Sequence, residues 1–140
     1  MPDCLYRYSL YFAWLIALIA TLSSLYLSVI QGMSVCELCW YQRVCMYPLV
    51  IILGIATYRE DKNIIQYVLP LVILGFLFSL YQYLEQMIPG FSHIALCGPS
   101  NECAQIDWSI GGFITLPFLG MIANLIIIFF LCLALQHTNK

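Results

Sequence analysis

Four apolar runs, at about residues 8–30, 40–58, 64–83 and 113–135, each approach the roughly 20 residues that carry an α-helix across a bilayer core. In lipid every backbone N–H and C=O must be bonded within the protein, so runs of this length leave few alternatives to helices. With 63% hydrophobic and 9% charged residues among 140, the chain lacks the polar surface of a water-soluble domain. The pattern predicts an all-α integral membrane protein: one domain over 1–140, a four-transmembrane-helix bundle with outer loops at about 31–39 and 84–112.

The first run is longer than the roughly 7 to 15 apolar residues of a secretory signal, and no small-x-small cleavage site follows it. It is expected to remain as a helix. Its small residues Ala13, Ala17, Ala20 and Ser24 recur at helical spacing and predict a face on which a neighbouring backbone approaches closely. Pro48, Pro70 and Pro117 each delete a helical hydrogen bond, a loss that membrane helices absorb as kinks.

Orientation follows from basic residues. Arg7, Arg59, Lys62 and Lys140 fall on one side of the four runs and Arg43 alone on the other, so the positive-inside bias predicts both termini in the cytoplasm. A net charge of −2 without any basic run weighs against nucleic acid as a partner.

Under this topology the seven cysteines divide by compartment. Cys36, Cys39, Cys97 and Cys103 fall in or beside the two outward-facing loops, where disulfides persist, whereas Cys4 and Cys132 lie on the reducing side and are expected to stay unpaired. Cys45, about 240° around the second helix from Cys39, reads as packing. Cys36-Glu37-Leu38-Cys39 is a CxxC, a spacing that closes a small, easily reduced disulfide rather than a long stabilising loop. Two cysteine pairs on one face of a membrane protein point to a relay of electrons between thiols and an acceptor in the membrane.

With the second helix starting near Trp40, Cys39 stands at its amino-terminal end, where unpaired N–H groups and the helix dipole favour a thiolate. Arg43 follows one turn deeper on the same face. A guanidinium keeps its charge and is costly at membrane depth, so Arg43 either snorkels to the interface or serves a site; beside a CxxC the second reading prevails, with Arg43 stabilising the Cys39 thiolate and an oxygen of the acceptor. Trp40, Tyr41 and Tyr47 read as an interfacial aromatic belt. The second pair brackets Gly98-Pro99-Ser100-Asn101, all turn formers, so its disulfide would close a tight exposed ring. His93 reads as a solvated loop histidine, Gln82 as interfacial, and 106–110 as a segment on the membrane surface with Gly111-Gly112 as a hinge.

The run from Cys36 to Arg43, the second outer pair, the four apolar segments and the total length together resemble the DsbB family of disulfide bond formation proteins. Tyr83-Leu84-Glu85-Gln86, Pro89-Gly90-Phe91 and the short spacing of the second pair are most similar to the Bacillus-type branch called BdbC. The resemblance implies a quinone-dependent disulfide oxidoreductase of the bacterial cell membrane. It makes Cys36/Cys39 the pair that passes electrons to membrane quinone, ubiquinone or menaquinone, with Arg43 beside the ring. Cys97/Cys103 would accept electrons from an extracytoplasmic, thioredoxin-like thiol oxidase of the DsbA kind. Where family members often carry a histidine at the outer end of the third helix, this chain reads Tyr81-Gln82-Tyr83, with Gln86 one turn on.

Two other classes fit parts of the pattern. Four thiols on one face are a conceivable zinc set, but CxxxxxC suits tetrahedral closure poorly, and no metal is expected. A small transporter or assembly subunit with structural disulfides would ordinarily carry ionisable groups at mid-membrane, which these runs lack.

Overall fold

The computed structural model describes residues 2–32, 37–88, 109–112 and 114–139. Among them are four helices, α1 (Pro2–Val29), α2 (Glu37–Arg59), α3 (Ile64–Met87) and α4 (Leu116–Thr138), and a small hairpin of β1 (Ser109–Ile110) and β2 (Ile114–Thr115). All four helices are long and apolar enough to cross a membrane. They close a ring in which α1 packs on α2 and α4, and α3 packs on α2 and α4. Cys97, Cys103, His93 and Cys36 lie outside the described residues.

α1, α2 and α3 are longer than their apolar runs, whereas α4, at 23 residues, matches the length of its run and is displaced three residues along the chain. Pro2 opens α1, a position where a missing N–H costs nothing because the first turn has no intrahelical acceptors. α2 starts at Glu37 rather than near Trp40, which moves Cys39 inside the first turn. α3 continues to Met87 and so takes Gln82, Glu85 and Gln86 into the helix. Hydropathy ends where lipid ends, whereas the hydrogen-bond ladder runs on into the interface.

Pro48 and Pro70 lie inside α2 and α3, which continue through them. Pro117 departs from expectation: it occupies the first turn of α4, after Thr115, and deletes no bond. Gly111-Gly112 is likewise a turn and not a hinge. Ser109 pairs with Thr115 and Ile110 with Ile114, and the glycines take φ of 67° and 80°, a left-handed conformation that favours glycine.

The end of the bundle away from this hairpin is closely packed. Tyr6, Leu10, Ala13 and Ala17 of α1 meet Leu49 and Leu53 of α2, Ile65, Val68 and Val72 of α3, and Ile127, Leu131 and Ala134 of α4. The small-residue stripe of α1 therefore packs inward as expected at Ala13 and Ala17; farther along, at Ala20 and Ser24, it lines a cavity. α3 and α4 approach at two glycines: a Cβ on Gly75 would come 3.3 Å from Asn124 Oδ1, and one on Gly120 would come 3.4 Å from Gln42 Oε1 and Ser79 Oγ. Large apolar side chains such as Leu22, Ile51, Leu77 and Phe129 point outward, toward what would be lipid. Arg7 and Glu60 pair at 3.1 Å on the surface, a contact worth little in stability.

Candidate functional site

Cys39 is the third residue of α2, and its sulfur faces α3. Gln82 Nε2 donates to Cys39 Sγ at 3.2 Å, and Sγ lies 3.8 Å from Gln82 Oε1. The orientation of that amide is fixed from the next turn of α2, because Gln42 Nε2 donates to Gln82 Oε1 at 3.0 Å. One carboxamide thus serves both states of the sulfur. Its oxygen accepts from a thiol, and its N–H donates to a thiolate, the stronger of the two contacts because the acceptor is charged. Gln82 is 3% exposed, so it is an interior group rather than the interfacial glutamine expected. Leu38, fully buried, packs with Cys39, Phe78 and Tyr81 and holds the first turn of α2 against α3.

Arg43 sits one turn below Cys39. Its Nε donates to Ser24 Oγ and its Nη2 to the Ser24 carbonyl, both at 3.0 Å, which ties α2 to α1. The guanidinium also lies 5.7 Å from the centroid of the Trp40 ring. Two bonds to Ser24 leave the remaining donors of the planar fork to the space that Arg43 lines.

That space is a cavity of about 430 Å³ between α1, α2 and α4, with Gln82 of α3 at its edge. Cys39, Gln42, Arg43 and Gln82 line one end, with Ser24 on the α1 wall, and Thr21 and Tyr47 add polar groups about a turn farther along. Ile16, Met46, Leu119 and Ile126 supply apolar lining. Such a site suits a molecule with a flat polar head and a hydrocarbon tail, within the usual size range of small-molecule pockets.

Comparison with known proteins bears on what uses this site. Residues 6–135 match the family model described as disulfide bond formation protein DsbB. The chain is 64% identical over 135 residues to a probable disulfide formation protein of Coxiella burnetii, covering 96% of this chain and 92% of the relative. It is 53% identical over 126 residues to disulfide bond formation protein C of Bacillus subtilis, covering 89% and 90% of the two chains. The chain belongs to the DsbB family. A Chlamydia muridarum probable disulfide formation protein is 42% identical over 123 residues, 88% of this chain and 89% of the relative. No solved structure matches.

Membership makes this a multi-pass membrane protein of disulfide bond formation, with the disulfide oxidoreductase chemistry that the family implies. Of the residues singled out in the sequence, Cys39 and Arg43 line one cavity; Cys36, Cys97 and Cys103 fall outside the described residues. Cys4 and Cys132 are exposed free thiols and Cys45 a half-buried one. Three contributors escaped the sequence reading. Gln42 stands within the CxLCxxQR motif, yet its role depends on a partner 40 residues away. Ser24 was legible only as a small residue, and Gln82 only as a polar one at a helix end. The sign of Gln82 was its place on the stripe Gly75, Ser79, Gln82, small and polar residues spaced by four and three on an otherwise apolar helix.

Proposed function

We propose that the protein reoxidises an extracytoplasmic thioredoxin-like thiol oxidase and passes the electrons to membrane quinone, with Cys36, Cys39, Cys97 and Cys103 as catalytic cysteines and Arg43 at the quinone. Both termini lie in the cytoplasm of a bacterial cell and the cysteine pairs face outward. The observation that carries this reading is the cavity that joins Cys39 and Arg43 at its polar end to an apolar lining within the membrane-spanning bundle.

The chemistry is two exchanges. A thiolate of the partner attacks the Cys97/Cys103 disulfide, and the partner's second thiol resolves the mixed disulfide, leaving the partner oxidised and Cys97/Cys103 reduced. Those thiols in turn reduce Cys36/Cys39. A bound quinone supplies the sink, taking two electrons and two protons to become quinol as the Cys36/Cys39 disulfide is restored. Cys39 is held for that step by the Gln82 N–H, which stabilises its thiolate. Arg43, anchored on Ser24, is placed in the same cavity to donate to an oxygen that gains negative charge. A lipid-soluble acceptor gives disulfide chemistry its reason to reside in a membrane protein.

Adding a quinone to purified, fully reduced protein tests the proposal. Thiols should disappear and quinol appear in equal two-electron amounts, and Cys39→Ala should abolish both. Thiols that persist in the presence of quinone would rule out quinone as the acceptor.

A further inference from the structure

On the outside of the close-packed end of the bundle, α1 and α2 leave an open groove of about 650 Å³ between Trp14 and the face of α2 from Val50 to Arg59. It shares no residue with the cavity that holds Cys39. Arg59, Ile55 and Ile51 recur every four residues, so one exposed row of α2 runs from a charge at the helix end to branched hydrocarbon deeper in. Of the basic side chains Arg7, Arg59 and Lys62 at this end, two are engaged. Arg7 pairs with Glu60 at 3.1 Å, and the Lys62 ammonium lies 5.7 Å from the centroid of the Tyr6 ring. Arg59 has no ion pair or hydrogen bond among the described residues, and its planar fork of donors is left to the groove.

The floor of the groove supplies a second donor. The Trp14 indole N–H has no hydrogen-bond partner among the described residues, and it faces Gly54, where a Cβ would come 3.0 Å from Nε1. Glycine at this position leaves open the space that a side chain would close over the N–H. Gly54 stands five residues from Arg59, about 7.5 Å deeper along the helix. An unpaired N–H at that depth carries a desolvation cost that an acceptor from the membrane removes. A charged donor at the interface, a neutral donor beneath it and an apolar row beside both match the phosphate, the ester carbonyls and an acyl chain of one glycerophospholipid.

We propose that this groove binds an anionic glycerophospholipid, with Arg59 on the phosphate, the Trp14 N–H on an ester carbonyl and one acyl chain along Ile55 and Ile51. The charge of the headgroup follows from the carboxylates. None lines the groove to receive the ammonium of a zwitterionic head. Glu60 is held by Arg7, and Asp61 accepts from the Asn63 backbone N–H at 3.0 Å. The inference is independent of the quinone reading, since it concerns the other end of the α1–α2 seam.

Bromine on a lipid acyl chain quenches an indole at contact range, which makes Trp14 its own reporter. The full-length protein carrying Trp40→Phe and Trp108→Phe, so that Trp14 alone fluoresces, is placed in phosphatidylcholine vesicles containing brominated phosphatidylglycerol or brominated phosphatidylcholine. Phosphatidylglycerol should quench with about fivefold preference, the scale of one basic residue at a membrane surface, and Arg59→Gln should bring the two lipids within about twofold of each other. Lys62→Gln, outside the groove, should keep the preference. Equal quenching by the two lipids in the parent overturns the proposal. So does a preference that survives Arg59→Gln, or one that Lys62→Gln removes equally, since diffuse surface charge would then explain it. Native mass spectrometry of the protein with all its tryptophans, released from vesicles of both lipids, repeats the comparison: the parent should retain phosphatidylglycerol and Arg59→Gln should lose it, and a parent that retains both lipids alike or neither overturns the site.

Discussion

Arg43→Lys separates a tethered planar donor from a mere positive charge. In the structure the guanidinium spends Nε on Ser24 Oγ and Nη2 on the Ser24 carbonyl, each at 3.0 Å, and lines the cavity with what remains. A lysine ammonium is a single point of donors on a flexible stem. It can stay on Ser24 or reach into the cavity, but it lacks the rigid fork that does both. Removing one hydrogen bond from a charged donor costs about 1.5–3 kcal/mol, which is roughly ten- to a hundredfold in the affinity of whatever accepted it. The fold should suffer less. The Ser24 carbonyl lies within α1, with its own helical acceptor role, and Ser24 Oγ faces a cavity rather than close-packed core.

The expected outcome is an apparent KM for quinone raised about ten- to a hundredfold, with exchange between Cys97/Cys103 and the soluble partner nearly unchanged. Steady-state titration with quinone at saturating reduced partner gives the first quantity, and a single-turnover reaction without quinone gives the second. An unaltered apparent KM would show that Arg43 only snorkels, and would remove it from the site.

Gln82→Leu keeps approximate size and removes the N–H that reaches Cys39; turnover with quinone should fall about tenfold or more, and a rate equal to the parent in stopped-flow quinone reduction would refute a role for that contact. Gly120→Ala, whose Cβ would meet Gln42 and Ser79 in ordinary contact, should retain activity and thermal stability, whereas Gly120→Val should displace Gln42 and lower both; a fully active Val variant would contradict the α3–α4 packing. A membrane-impermeant thiol reagent should label reduced Cys97 and Cys103 in whole cells but spare Cys4, and labelling of Cys4 from outside would reverse the topology. If Cys97 is the sulfur that the partner attacks, Cys103→Ala should trap a partner-linked species that reductant dissolves; trapping only by Cys97→Ala would exchange the two roles.

The helices were legible because apolar length is a local property that lipid enforces directly. Several of their ends were not. Pro2 and Glu85 belong to helices that outrun the hydrocarbon, and hydropathy has no term for a ladder continuing into the interface. Within the site, Cys39 and Arg43 were legible together because a spacing of four places two side chains on one face whatever else the chain does. Gln82 was not, because which turn of α3 meets Cys39 is decided by how α2 and α3 pack, and that in turn depends on Gly120 leaving room for Gln42. Ser24 carried the weakest signal, since a hydroxyl in a membrane helix ordinarily satisfies itself on its own backbone.

The two anchoring residues, Ser24 and Gln82, also explain why Cys39 can stand beside a cavity without the cavity collapsing. Ser24 holds Arg43 from α1, and Gln82 holds Cys39 and Gln42 from α3, so the groups at the polar end of the cavity are each restrained by a different neighbour of α2. Apolar side chains alone would slide to fill about 430 Å³, because dispersion rewards every closed gap. Polar side chains with fixed partners resist, since closing the space would break bonds that the membrane interior offers no water to replace. The opposite end of the bundle, packed through Ala13, Ala17, Leu53, Val72 and Leu131, supplies the rigid base on which that opening is held. Room for a flat ligand and a fixed sulfur therefore have one cause, the placement of a few hydrogen-bonding residues on the side of the bundle where close packing stops.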